Sequence, residues 1–143
     1  MLEKVLKTLE YDKIRAMVAE RTQCCTGREL AEAMEPVFTN GEAAGQMALT
    51  AEAEKLLIRT GRSPAEGFPD MRGCLKRVHA ALYLSPGELL GVARCLKAIR
   101  LCKEALESAE DCPLLGNLAQ WLQAHRSIEE EIGRGIAGAE EIS

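Results

Sequence analysis

The amino-acid sequence predicts an all-α fold, an irregular bundle of about seven helices around one long central helix. Three observations carry this. Apolar residues recur at steps of three and four along most of the 143 residues, helix-start and helix-stop residues bracket those stretches, and aromatic residues make up only 3% of the chain. A core without rings must be built from Leu, Ile, Val, Met, Ala and Cys, which suits helix seams better than strands. The length fits one domain able to bury roughly two thirds of its unfolded surface.

Taken in order, Leu2, Val5, Leu6 and Leu9 line one face of a short first helix. A break at Tyr11-Asp12, with Asp12 as the expected cap, leads to a second helix through Ile14, Met17 and Val18. Thr26 and Glu29 have the spacing of a capping box, so a third helix opens there, and Pro36 closes it. Thr39 and Glu42 repeat the box and open a helix from about Asn40 to Arg59. Its expected inner face is Ala44, Met47, Ala51 and Ile58, and Gly61 is placed to end it.

Gly61 to Pro69 reads as a loop, after which Asp70 caps a helix carrying Met71, Cys74, Leu75 and Val78 inward. Ser85-Pro86-Gly87-Glu88 is the strongest start signal in the chain: Ser at the cap, Pro in the first turn and Glu three residues on. The long central helix runs from Ser85 to about Glu107, with Leu89, Val92, Leu96, Ile99, Cys102 and Leu106 inward. Asp111-Cys112-Pro113 starts a helix with Leu114, Leu115, Leu118, Trp121 and Leu122. Ser127 and Glu130 cap a last short one with Ile128 and Ile132. Three glycines and weak periodicity predict a loose tail over 133–143, beyond a folded segment 1–132.

Composition excludes several functions. A net charge of −4 argues against a domain devoted to electrostatic nucleic-acid binding. No run of 18 apolar residues and no signal peptide is present, so neither membrane insertion nor export is expected, and the expected location is cytoplasmic. The six cysteines (24, 25, 74, 95, 102, 112) show no C-x-x-C or zinc-type spacing and read as free, packed thiols.

No catalytic, cofactor-binding or metal-binding residues are assigned. Neither G-x-x-x-x-G-K-[ST] nor G-x-G-x-x-G occurs, and Gly133-Arg134-Gly135 follows no strand. His79 and His125 read as surface side chains. Adjacent Cys24-Cys25 would close only a strained ring. Glu129-Glu130-Glu131 is explained by the helix dipole, which favours negative charge in a first turn. The one sizeable basic supply is Arg72, Lys76 and Arg77, with Arg94, Lys97, Arg100 and Lys103 on the long helix. Arg72, Lys76, Arg77 and Arg94 are therefore the candidate nucleic-acid contacts, against the plainer reading of solvated charge.

Several blocks of the chain resemble the MutS-like ATPases of the second bacterial type, which suppress recombination and carry a C-terminal nuclease-like Smr domain. They are Val5-Leu6-Lys7-Thr8-Leu9-Glu10-Tyr11-Asp12-Lys13-Ile14, Thr26-Gly27-Arg28 with Pro36, Asp70-Met71-Arg72, Leu75-Lys76-Arg77, Leu84-Ser85-Pro86-Gly87-Glu88-Leu89, and Glu131-Ile132 with Ile136. The resemblance implies an N-terminal fragment of the helical core domain, truncated before the rest of the protein. It also implies a non-catalytic role in transmitting conformational change to lever, clamp and ATPase domains. ATP and Mg would belong to the missing ATPase domain. The full-length protein would be a homodimer acting on DNA, with stalled ribosomes as a further candidate. No match to the ATP-binding motifs or to a mismatch-reading domain is present. Two competing readings are a self-contained helical adaptor that docks a partner on the 40–59 helix and a thiol-based sensor.

Overall fold

The computed structural model describes residues 2–142, and the side chains through 138. Among them the chain forms eight helices and no strand: α1 (Leu2–Thr8), α2 (Tyr11–Glu20), α3 (Cys25–Glu32), α4 (Asn40–Thr60), α5 (Arg72–His79), α6 (Pro86–Ser108), α7 (Pro113–Ala119) and α8 (Arg126–Ile142). The all-α expectation holds, with one helix more than the seven or so expected.

α6 is the spine. Its capping box is complete: the Ser85 hydroxyl accepts from the Glu88 N–H at 3.1 Å, and the Glu88 carboxylate accepts from the Ser85 N–H at 3.2 Å. Its expected inner face is the face turned inward, with Cys102 buried and Leu89, Val92, Leu96, Ile99 and Leu106 partly so. α7 and α8 both pack on it. Glu129 reaches Arg100 while Ile132 and Ile136 share a groove with Pro86 and Leu89, so α8 runs antiparallel to α6.

At the C-terminus the structure departs from the expected short helix and loose tail. α8 starts at Arg126, ahead of Ser127, and continues to Ile142. Ile128, Ile132 and Ile136 recur every four residues toward α6, whereas a side chain added at Gly133, Gly135 or Gly138 would meet open space. Packing against α6 outweighs the cost of about 1 kcal/mol per glycine.

The N-terminal end is a separate packing unit. α1 packs on α2 and α2 on α3. Arg15 lies 4.8 Å above the Tyr11 ring and donates to the Met34 carbonyl, which ties α2 to the chain leaving α3. Two start signals move. α2 begins at Tyr11, preceded by Glu10 in the left-handed region (φ 57°), so Asp12 lies inside the helix and does not cap it. α3 begins at Cys25: the Cys24 sulfur, not Thr26, accepts from the Gly27 N–H at 3.4 Å, and Thr26 falls in the first turn. Glu29 is then free to reach across to Arg72.

α4 opens and closes as expected. The Thr39 hydroxyl accepts from the Glu42 N–H at 3.2 Å, and Gly61 takes the left-handed conformation at φ 73°. Its orientation is the reverse of the expectation. Leu56 is 3% exposed and Leu49 and Ala53 are partly buried, whereas Met47 is 72% and Ile58 is 76% exposed, with Ala44 and Ala51 exposed beside them. The helix carries two apolar stripes, and the chain covers the second. α4 packs on α7, where Leu56, Ala109 and Cys112 form a small cluster with Leu106 and Leu115.

Two further faces differ. On α5, Met71 and Cys74 are partly covered, but Leu75 and Val78 are exposed. α7 ends at Ala119, leaving Trp121 beyond the helix and exposed.

The array is open. Its accessible surface is 10685 Å², against about 7,200 Å² for a compact monomer of 15.6 kDa.

Candidate nucleic-acid interface

The cations singled out in the sequence lie on α5 and α6, and most are already in use. α5 is set by Asp70, whose carboxylate accepts from the Arg72 N–H at 3.1 Å just before the helix begins. The Arg72 guanidinium makes two bonds to Asp70, at 3.0 Å each, and two to Glu29 of α3, at 2.8 Å each. The hydrogen bond from Arg72 holds the Asp70 carboxyl well below the ordinary carboxylate range, and Asp70 and Glu29 raise the guanidinium. Arg72 thus bridges α3 and α5 with its charge answered twice.

Arg77 pairs with Glu88 and donates to the Tyr83 carbonyl at 2.9 Å. Glu88 is lowered to about 2, first by the Ser85 backbone N–H and then by Arg77. The same carboxylate accepts from the Cys74 thiol at 3.6 Å, and burial pushes that thiol up. Met71 lies over Gly91, where an added Cβ would come within 3.2 Å of the Met71 methyl. These contacts set α5 against the start of α6 only, at Glu88 and Gly91.

Farther along α6, Arg100 makes bonds of 3.1 and 3.2 Å to Glu129, with only 16% and 11% of the two side chains exposed. Glu129 therefore does more than complement a helix dipole; it joins α8 to α6. Lys103 donates to the Ala119 carbonyl at 3.0 Å and pairs with Glu107 at 2.8 Å. Of the four candidates, Lys76 and Arg94 are exposed and have no carboxylate partner among the described residues, whereas Arg72 and Arg77 are struts between elements.

A second polar cluster went unnoticed in the sequence. Glu52 of α4 accepts from the backbone N–H groups of Leu114 and Leu115, at 3.2 and 2.9 Å, and so caps α7 from another helix. Beside it the Cys112 thiol donates to the Glu52 carbonyl at 3.5 Å, Arg59 pairs with Asp111, and Lys55 donates to the Asp111 carbonyl at 3.4 Å. Arg59 holds Asp111 below its ordinary value. The available signal was Glu52 itself, an acidic residue in line with Leu49, Ala53 and Leu56.

All six cysteines are free thiols, and burial raises Cys95, Cys102 and Cys112 as it does Cys74. Such thiols are held in the neutral, weakly nucleophilic form. Among the described residues no group of three or more His, Cys, Asp or Glu side chains is arranged to hold a metal. No helix there is long and apolar enough to cross a membrane. An apolar recess of about 300 Å³ lies between α4 and α6 over Leu56, Thr60, Pro64, Ala98 and Leu101.

Fold and contacts together define the class: an open, all-helical segment in which four ion pairs, Arg59–Asp111, Arg72–Glu29, Arg77–Glu88 and Arg100–Glu129, join separate elements. Comparison with known proteins gives the family. The chain is 35% identical over 136 residues to the endonuclease MutS2 of Symbiobacterium thermophilum, covering 95% of this chain and 17% of that protein. It is 33% identical over 146 residues to the endonuclease MutS2 of Alkaliphilus metalliredigens and 34% to that of Clostridium novyi, covering all of this chain and 18% and 19% of theirs. No protein-family model and no solved structure matches it. The chain is a MutS2-type segment, spanning less than a fifth of the length of these relatives.

Proposed function

We propose that this chain is the N-terminal helical core segment of a MutS2-type ATPase that acts on DNA in the cytoplasm. In this reading it is a mechanical part. It holds the DNA-facing end of the protein in register with lever, clamp and ATPase domains, and carries nucleotide-driven rearrangement between them. ATP and Mg belong to the ATPase domain, and the working protein is a homodimer that suppresses recombination, with stalled ribosomes as a further target. Lys76 and Arg94 are the residues in this stretch available to touch a phosphate backbone, because Arg72 and Arg77 are committed to Glu29, Asp70 and Glu88.

The observation that carries the reading is the match itself, end to end on this chain and confined to under a fifth of each relative. The surface supports it: exposed Leu9, Leu30, Met47, Ile58 and Trp121 are what a segment packed into a larger body would show. The purified chain should hydrolyse no ATP and cleave no DNA. Exchanged for the matching segment of the Symbiobacterium thermophilum relative, it should restore DNA-stimulated ATP turnover that deletion of that segment abolishes. Turnover by the chain alone, or a folded exchange protein without DNA stimulation, would overturn the reading.

A further inference from the structure

The outward side of α4 is a seam without a partner. Ala44, Met47, Ala51, Glu54 and Ile58 follow one another at steps of three, four, three and four, two lengths of the seven-residue repeat with which one helix packs along another. All five are exposed, and shallow grooves run on both flanks, one floored by Val37, Met47 and Thr50, the other by Lys55, Ile58 and Asp111. The seam is held outward by the opposite side of the helix, where Leu56 is buried and Glu52 caps α7.

We propose that this seam docks an amphipathic helix supplied in cis by the part of a MutS2-type polypeptide outside the matched stretch. The proposal rests on the functional reading above and adds the face and the kind of partner to it. Ala44 and Ala51 let a second backbone come close, so the incoming helix fills the seam with large aliphatic side chains of its own. Glu54 is the single charge in the seam, and no cation pairs with it among the described residues; the partner places a Lys or Arg opposite, which fixes the register. Nucleic acid does not suit this face, since Lys55 and Arg59 are turned to Asp111 and the remaining charge is negative.

A second copy of the chain suits it less than a helix in cis. The surface exceeds that of a compact monomer by about 3,500 Å², and the exposed apolar side chains lie on separate elements: Leu9, Met47 and Ile58, Tyr83, Trp121. One twofold contact covers one such face. The remaining four fifths of a MutS2-type chain can cover several at once.

The test places benzoylphenylalanine at position 47 in the exchange protein built on the Symbiobacterium thermophilum relative, followed by irradiation and peptide mapping. The expected result is an intramolecular cross-link to a helix outside the exchanged segment. A link to residues 40–60 of a second protomer, or no link in a protein that retains ATP turnover, would overturn the docking while leaving the functional reading intact. An exchange protein that folds but lacks DNA-stimulated turnover counts against the functional reading instead. Should the exchange protein not fold, the same probe goes at the aligned position of the unaltered relative, with the same two outcomes. Ile58→Asp gives an independent measure. It should leave the melting temperature of the isolated chain unchanged and lower that of the exchange protein by several degrees; equal shifts in both would also defeat the proposal.

Discussion

α4 and α6 are of nearly equal length, 21 and 23 residues, and they are held in different ways. α6 has neighbours on two sides, α7 and α8, and a nearly buried ion pair at Arg100. α4 packs chiefly on α7, with one buried large side chain, Leu56, that also meets Leu106 of α6, and a set of polar contacts around Glu52 and Asp111. A helix gripped on two sides is a beam. A helix held along one edge by a carboxylate cap and a few apolar atoms can be repositioned without dismantling its neighbour. In the mechanical role proposed above, that division would separate the part that keeps its shape from the part that can respond.

The difference can be broken from either end. Arg100→Ala strands Glu129 in a site that is 11% exposed, and should give a larger loss of stability than Leu56→Ala or Glu52→Ala. The loss should show in thermal unfolding and in faster hydrogen exchange across 126–142. Replacing both partners by Met should recover most of it, because no uncompensated charge is then left behind. Leu56→Ala should cost about 2 kcal/mol, the low end for a buried leucine, because its cavity opens toward the apolar recess beside α6 and can relax. Its hydrogen-exchange signature should fall on 40–60 and spare 126–142; equal acceleration in both would show that the two helices unfold together.

Glu52→Ala removes two hydrogen bonds from the start of α7 and should cost about 1 kcal/mol, the usual worth of a helix cap. α4 and α7 should loosen together, with α8 unaffected. Acid probes the beginning of α6. The folded Glu88 carboxyl lies at about 2 against an ordinary 4.5, so its contribution is fully present above 4.5 and fades as the pH falls toward 2. The protection of the Ser85, Glu88 and Leu89 amides, corrected for the intrinsic pH dependence of exchange, should fall over that interval, and Glu88→Gln should flatten the response.

Legibility followed the same division. Signals that are local in the chain could be read directly: the Ser85–Glu88 box, the Thr39 cap and Gly61 are each settled within four residues. Where a helix has apolar residues on two sides, periodicity gives both stripes and cannot say which neighbour arrives, and so α4 was turned the wrong way. The same blindness affects α8, whose glycines argue against a helix until α6 is present to hold Ile132 and Ile136. The Cys24 cap is not legible because sulfur is an unusual acceptor, whereas the Thr26–Glu29 spacing two residues later matches the usual capping box. The basic candidates show the limit for function. Arg77 looks available in sequence, and the carboxylate that claims it lies 11 residues away; Arg72 has Asp70 two residues off, but its second partner, Glu29, lies 43 residues away.

The bridge from Arg72 to Glu29 also sets a dependence on ionic strength. That pair is about half exposed on both sides, 47% and 59%. Mobile ions reach such a pair, and at 1 M salt charges are screened beyond about 3 Å. The Arg100–Glu129 pair is far less exposed, at 16% and 11%. Rising salt should therefore loosen α1–α3 from α5 well before it disturbs α6 and α8, so that the molecule parts along the line where its charges face the solvent.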